Sequence, residues 1–171
     1  TRMMGGNIKV KSQLNKGTTF TIHFDDVKIS VLHAISTEGF KEVNDITFDG
    51  QTILTVDDVA FNRDVVKKIL SKHNLQVITA ENGSEATLIA QKIIPDLIIM
   101  DIRMPIMNGY QAAEIIKTGA ETKDIPIIAL TASTSSENID DDNNNYFDGV
   151  LPKPIKAPLL LGELSKHLHA D

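Results

Sequence analysis

From residue 52 onward the chain alternates between short runs of Ile, Val and Leu and longer amphipathic stretches. The apolar runs at 52–57, 75–80, 96–101, 126–131 and 148–152 have the length and composition of strands. The stretches between and after them read as helices. In the first, Phe61, Val65, Ile69 and Leu70 share one face at i, i+4 and i+8/i+9, with Arg63, Asp64, Lys67 and Lys68 mostly outside it. The second is expected to open after Gly83, with Ser84 as N-cap and Glu85 in its first turn, and to end before Pro95. The third runs from about Met107 to Thr118, with Gly119 as its stop signal. A fourth covers Ser133 to Asn145, and a fifth follows the last strand. Strict alternation of strand and helix buries a parallel sheet between two helical layers. The pattern therefore predicts a doubly wound α/β domain of five strands and five helices.

The fourth helix has almost no apolar face. Asp140-Asp141-Asp142 and Asn143-Asn144-Asn145 are poor helix formers, so a short or frayed element is expected there. It is either a plain solvated helix or a segment sensitive to ligand or phosphorylation, since switch elements come from the least stable parts of a fold. Residues 1–24 follow a different rhythm. Ile8, Val10 and Ser12 alternate with polar neighbours, as do Phe20, Ile22 and Phe24, and Asn15-Lys16-Gly17-Thr18 lies between them. That is a β-hairpin at the edge of some other domain. Residues 25–50 have no clear period and read as a linker with at most one short strand.

The polar residues that end the apolar runs carry the chemistry. Asp57-Asp58 closes the first strand, Asp101 the third and Thr131 the fourth, while Lys153 follows the fifth. Open α/β sheets place ligands at the C-terminal ends of their strands, so these five side chains should converge on one small site. Singly each has a bland explanation: a helix cap, a loop acid, a solvated lysine. In this order on the loops after the first, third, fourth and fifth strands, coincidence is a poor explanation. Three neighbouring carboxylates repel one another unless a cation lies among them. Hard oxygen donors without Cys or His point to Mg²⁺, with Mn²⁺ as the alternative. A nucleophilic carboxylate, a divalent cation, a hydroxyl and an amine are what accepting a phosphoryl group requires.

Composition narrows the partners. The 171 residues carry a formal charge of −6 and no basic cluster, which argues against direct nucleic-acid binding. The absence of Cys excludes disulfides and thiolate chemistry. No apolar run approaches the ~20 residues of a membrane-spanning helix, so no membrane contact is expected of this piece. Thr1 to Gly6 is not a signal peptide and reads as the middle of a longer protein.

Residues 51–171 resemble the receiver domain of two-component response regulators. The resemblance is carried by Leu54-Thr55-Val56-Asp57-Asp58, by Met100-Asp101-Ile102-Arg103-Met104-Pro105-Ile106-Met107-Asn108-Gly109, by Ala129-Leu130-Thr131-Ala132, and by Leu151-Pro152-Lys153-Pro154. It implies a flavodoxin-like sheet with strand order 2-1-3-4-5. It further implies that Asp101 accepts the phosphoryl group, that Asp58 ligates Mg²⁺ directly, and that Asp57 does so directly or through water. The carbonyl of Arg103 would complete the metal shell, Thr131 and Lys153 would sense the phosphate, and Gly109 would allow a tight turn behind Asp101. One position departs from the family pattern. Receivers usually carry Tyr or Phe three residues before the lysine, where this chain has Val150, so the usual hydroxyl–aromatic switch is not expected to work in its ordinary form. Tyr146 and Phe147 lie just upstream and are expected in the core or at a helix end.

Met4 to Ser12 followed by Lys16-Gly17-Thr18-Thr19-Phe20-Thr21-Ile22 resembles the last hairpin of a histidine-kinase ATPase domain, with Asn15 where that family usually has glycine. The combined resemblance implies a hybrid sensor kinase cut to three parts: an ATPase remnant at 1–24, a linker at 25–50 and a receiver at 51–171. Such a piece lacks the ATP-binding residues, so neither ATPase nor autokinase activity is expected. The phosphodonor would be a kinase histidine, in cis or in trans. A histidine phosphotransfer protein would be the next acceptor, docking near the first helix at Phe61 and the exposed part of Val65–Val66. The implied location is cytoplasmic, with any membrane anchor elsewhere in the intact protein. With no DNA-binding domain after the fifth helix, direct gene regulation is not expected. None of His23, His33, His73, His167 and His169 lies in a kinase-like histidine box, so all five are expected to pack at helix ends or on the surface.

Two rivals fit less well. An aspartyl-phosphate phosphatase of the haloacid dehalogenase type needs a second acid two residues after its nucleophile, where this chain has Arg103, and takes that nucleophile from the first strand. A receiver-like interaction module without phosphorylation would have lost an acid or the lysine, and all are present.

Overall fold

The computed structural model describes residues 6–13, 17–24, 46–132 and 146–169. The chain divides into two compact units, residues 1–40 and 41–171. In the first, β1 (Gly6–Gln13) and β2 (Gly17–Phe24) pair antiparallel, with Val10 opposite Phe20 and Ile8 opposite Ile22. Ile8, Val10 and Phe20 are exposed on this hairpin.

In the second unit the strands are β3 (Thr52–Val56), β4 (Gln76–Ala80), β5 (Leu97–Asp101), β6 (Ile127–Thr131) and β7 (Gly149–Pro152). They form one parallel sheet in the order β4-β3-β5-β6-β7, which is the order 2-1-3-4-5. The helices are α1 (Ala60–Leu70), α2 (Gly83–Ile93), α3 (Gly109–Thr118) and α4 (Ala157–Leu164). The helix expected over Ser133–Asn145 lies outside the described residues.

Side chains alternate across a strand, so each strand feeds two cores. Ile53, Leu97, Ile99, Ile128 and Leu130 pack with Val66 and Leu70 of α1 and Leu160, Leu161 and Leu164 of α4. Leu54, Val56, Ile98, Met100 and Ile127 pack with Ala86 and Ala90 of α2 and Ala112, Ala113 and Ile116 of α3. β5 lies mid-sheet with both faces covered, and all five of its residues are buried, Asp101 included.

Local details differ from the periodicity reading. The buried face of α1 centres on Val66 and Leu70, while Phe61 is 72% exposed. The face is thus rotated by about one residue, which a mixed Val-Val pair cannot specify. Asn82, not Ser84, caps α2, its side chain accepting from the Glu85 amide at 3.0 Å. That helix ends on Ile94 in the left-handed region (φ 51), just before Pro95. α3 starts at Gly109 rather than Met107 because Asn108 and Gln111 form a reciprocal capping box. Gly119 does end it, but with extended backbone (φ −73).

Residues 46–50, expected within the linker, pack on the sheet unit. Phe48 is fully buried in the α1/α4-side core. Its amide donates to the His73 carbonyl at 3.2 Å, and its own carbonyl accepts from Asn74 Nδ2 at 2.9 Å. His73 is buried at a helix end with Nδ1 2.7 Å from the Ile46 carbonyl oxygen.

Candidate functional site

The sheet register decides which side chains meet. Asp101 is level with Leu130 and Thr131 with Pro152, so the ends of β5, β6 and β7 are adjacent, and β3 flanks β5 on the other side. Lys153, the first residue past β7, donates its backbone amide to the Thr131 carbonyl at 2.7 Å. Its side chain crosses the end of the sheet. Nζ lies 2.6 Å from Asp101 Oδ2 and 2.7 Å from Asp57 Oδ2, a two-way ion pair between residues 52 and 96 positions apart. The Lys153–Pro154 peptide is cis.

Asp57 and Asp101 are buried and Asp58 is exposed, and oxygens from all three lie within 4.8 Å of one another. Burial of Lys153 opposes its charge, yet its hydrogen bonds to Asp101 and Asp57 outweigh that effect and hold its pKa above the usual 10.5. A single ammonium among three carboxylates leaves negative charge in excess. The donor set is entirely oxygen, close together and reached from solvent past Asp58, and this fits a hard divalent cation.

Asp57 is held by more than Lys153. Its Oδ1 accepts from the Val59 amide at 2.9 Å, and both its oxygens lie 3.0 Å from Asn62 Nδ2. Arg63 donates to the Asp57 carbonyl oxygen at 2.7 Å and pairs with Glu81 at 2.6 Å. The sequence places Arg63 mostly outside the apolar face of α1, and its helical pattern does not single out Asn62. The missed signal was their place five and six residues after Asp57, in the first turn, within reach of the strand end.

Around Asp101, Oδ1 accepts from the Arg103 amide at 3.3 Å. Arg103 itself is exposed. Gly109 serves close approach rather than a tight turn. A β-carbon there would collide with the Asp101 carbonyl oxygen and come within 2.9 Å of Ile102 Cα. The left-handed residue of that loop is Ile106 (φ 71). Thr131 is half-buried at the end of β6. Val150 is exposed on β7, while Tyr146 and Phe147 pack against the α2/α3-side core, Phe147 edge-on to Tyr110 at 5.5 Å. Those two aromatics are half-buried at the edge of that core. His23 and His169 are exposed, His167 sits 3.8 Å from Glu163, and His33 lies outside the described residues. Among the described residues, no helix is long and apolar enough to cross a membrane.

Comparison with known proteins gives a consistent result. The family model for the response regulator receiver domain matches residues 53–165. The sensor kinase/phosphatase LuxN of Vibrio harveyi is 30% identical over 99% of this chain and 21% of its own length. The aerobic respiration control sensor protein ArcB of Escherichia coli is 31% identical over 95% of this chain and 20% of its own. The chain thus spans about a fifth of the length of these curated relatives. Among solved structures, chemotaxis protein CheY4 of Vibrio cholerae superposes with a TM-score of 0.64 at 33% identity, covering 69% of this chain and 98% of CheY4. The receiver domain of a Pseudomonas aeruginosa sensor histidine kinase, with a magnesium ion coordinated in its active-site cleft, gives a TM-score of 0.61 at 31% identity, covering 69% of this chain and 97% of that domain.

Proposed function

The chain belongs to the response-regulator receiver family, and on that premise we propose that Asp101 is its phospho-accepting residue, with Mg²⁺ as cofactor. The observation that carries the assignment is the Lys153 ammonium, held between Asp101 and Asp57 from three separate strand ends. Asp57, Asp58, Asp101 and the Arg103 carbonyl would hold the cation. When bound, it supplies the positive charge that lets a carboxylate approach a phosphoryl group.

The donor is a phosphorylated histidine of a kinase. An Asp101 carboxylate oxygen attacks phosphorus, the phosphorus–nitrogen bond breaks, and the imidazole leaves with the electron pair and takes up a proton. The product is an acyl phosphate on Asp101. Lys153 exchanges a carboxylate contact for a phosphoryl oxygen, and the Thr131 hydroxyl donates to another. Positioning and charge do the work, as phosphoryl transfer demands little covalent help. The haloacid dehalogenase alternative loses its footing because Arg103 stands where its second acid is needed and Asp101 ends the third strand of the parallel sheet in chain order.

The chain is further read as a piece of a hybrid sensor kinase. The LuxN and ArcB alignments run well beyond the receiver match, covering 99% and 95% of the chain. The β1–β2 hairpin has exposed Ile8, Val10 and Phe20, as expected of a strand pair from the edge of a larger domain. A histidine phosphotransfer protein is the proposed next acceptor, docking at α1, where Phe61 is exposed and Val65 half-buried. Val66 is buried and drops out of that surface.

Incubation of the chain with MgCl₂ and acetyl phosphate, followed by intact mass, tests the assignment. One phosphoryl adduct, absent in Asp101→Asn, is expected. An adduct that persists in Asp101→Asn, or none with several donors, would refute it.

A further inference from the structure

Val59 occupies the N-cap of α1 and has no side-chain oxygen to satisfy the helix's first amides. The Asp57 carboxylate instead accepts from the amide of Val59 itself, and the side chain of Asn62 in the first turn reaches back to the same carboxylate. We infer that Asn62 is a positioning residue for the divalent-cation site, fixing the orientation of the Asp57 carboxylate and thereby setting the affinity of the acidic cluster. The inference rests on the reading of Asp57, Asp58 and Asp101 as that site.

The geometry is specific. Val59 holds Oδ1 and Lys153 holds Oδ2, but the lysine contact is shared with Asp101, which leaves Asn62 as the donor that spans both oxygens of Asp57 alone. Asn62 Nδ2 is 3.0 Å from Oδ1 and 3.0 Å from Oδ2, so rotation in either sense lengthens one of the two contacts. Asp57 then accepts four contacts in all: Val59, Asn62 on each oxygen, and Lys153. An ionised carboxylate offers about four acceptor directions, so a cation would reach Asp57 through water or by displacing one of these donors, and the orientation of the carboxylate decides how well it can. Asp58 beside it is exposed. The two neighbouring acids are thereby given different parts: Asp58 is open to solvent, and Asp57 presents one fixed orientation. Side chains behind metal ligands act by this kind of orientation, and their loss typically weakens binding without removing a ligand.

A purely structural role for Asn62 would show in stability alone, so the test reads metal affinity. The ¹⁵N-labelled 171-residue chain is titrated with MgCl₂ while amide shifts near Asp58 and Asp101 are followed. Asn62→Leu keeps the size and removes the donor, and it is expected to weaken Mg²⁺ about ten-fold or more. Asn62→Gln keeps an amide and should bind more tightly than Asn62→Leu. In an Asp57→Asn background, Asn62→Leu should add nothing, because its effect passes through Asp57. A Kd for Asn62→Leu within about two-fold of the parent overturns the inference, as does a loss of undiminished size in the Asp57→Asn background. Should Asn62→Leu lose its folded spectrum, Asn62→Ala is scored by the same criteria. A parent chain that ignores Mg²⁺ would refute the metal site itself. A parent that binds it, with Asn62 variants unchanged, would refute only the role of Asn62.

Discussion

Lys153 Nζ lies 2.6 Å from Asp101 Oδ2 and 2.7 Å from Asp57 Oδ2, so one side chain bridges two buried acids from different strand ends and offsets one of their two charges. Removing it leaves two low-dielectric carboxylates and a nearby third without their counter-charge. Lys153→Met is therefore expected to destabilise the Mg²⁺-free chain by about 3 kcal/mol, read from urea unfolding. MgCl₂ should recover most of the loss, since a cation takes over the same charge balance. An unchanged urea midpoint would contradict the ion-pair account.

The same lysine sets an alkaline limit. Its folded-state pKa is raised above 10.5, so its contribution to stability is complete below 10.5 and is lost as pH climbs through the raised value. The stability gap between the parent and Lys153→Met, measured without Mg²⁺, should stay constant through the neutral range and narrow only above 10.5. A gap that closes near neutral pH would show that Lys153 is not held charged by Asp101 and Asp57.

Gly109 abuts the backbone of the residue it serves. A methyl group there meets the Asp101 carbonyl oxygen and Ile102 Cα, both main-chain atoms with little room to yield. Gly109→Ala should cost about 2 kcal/mol and slow phosphorylation by displacing Asp101. Stability within about 0.5 kcal/mol of the parent would mean that the start of α3 can slide away from β5.

Phe48 lies before β3, the first strand of the parallel sheet, and outside the family match at 53–165, yet it is buried among Leu70, Leu75 and their neighbours. Phe48→Ala is expected to destabilise the sheet unit by about 3–5 kcal/mol. A loss comparable to that of an exposed linker position would remove residues 46–50 from the receiver.

The sheet was legible because its signal is repetitive: five apolar runs at strand length, each ended or directly followed by a polar residue, with Asp101 and Thr131 falling on true strand ends. The site was legible because strand order brings those ends together whatever the loops do. What escaped was set by single positions or by distant packing. Ser84 and Asn82 are equally good caps on paper, and only the backbone turn before Gly83 chooses Asn82. Val65 and Val66 look alike in a helical stripe, so the face of α1 could slip by one residue. Phe48 sits in a stretch without period, and its burial depends on His73 and Asn74, some 25 residues later. Asn62 looks like any polar helix residue until the fold aims it at Asp57.

The central claim is that Asp101 carries the phosphoryl group. Chemical trapping tests it most directly: the phosphorylated chain is reduced with borohydride, which converts an aspartyl phosphate to homoserine, and the site is located by peptide mass spectrometry. Homoserine at position 101, formed only when Mg²⁺ and a phosphodonor are both supplied, is the predicted result. Homoserine at Asp57 or Asp58, or a phosphoryl group found instead on a histidine, would contradict it.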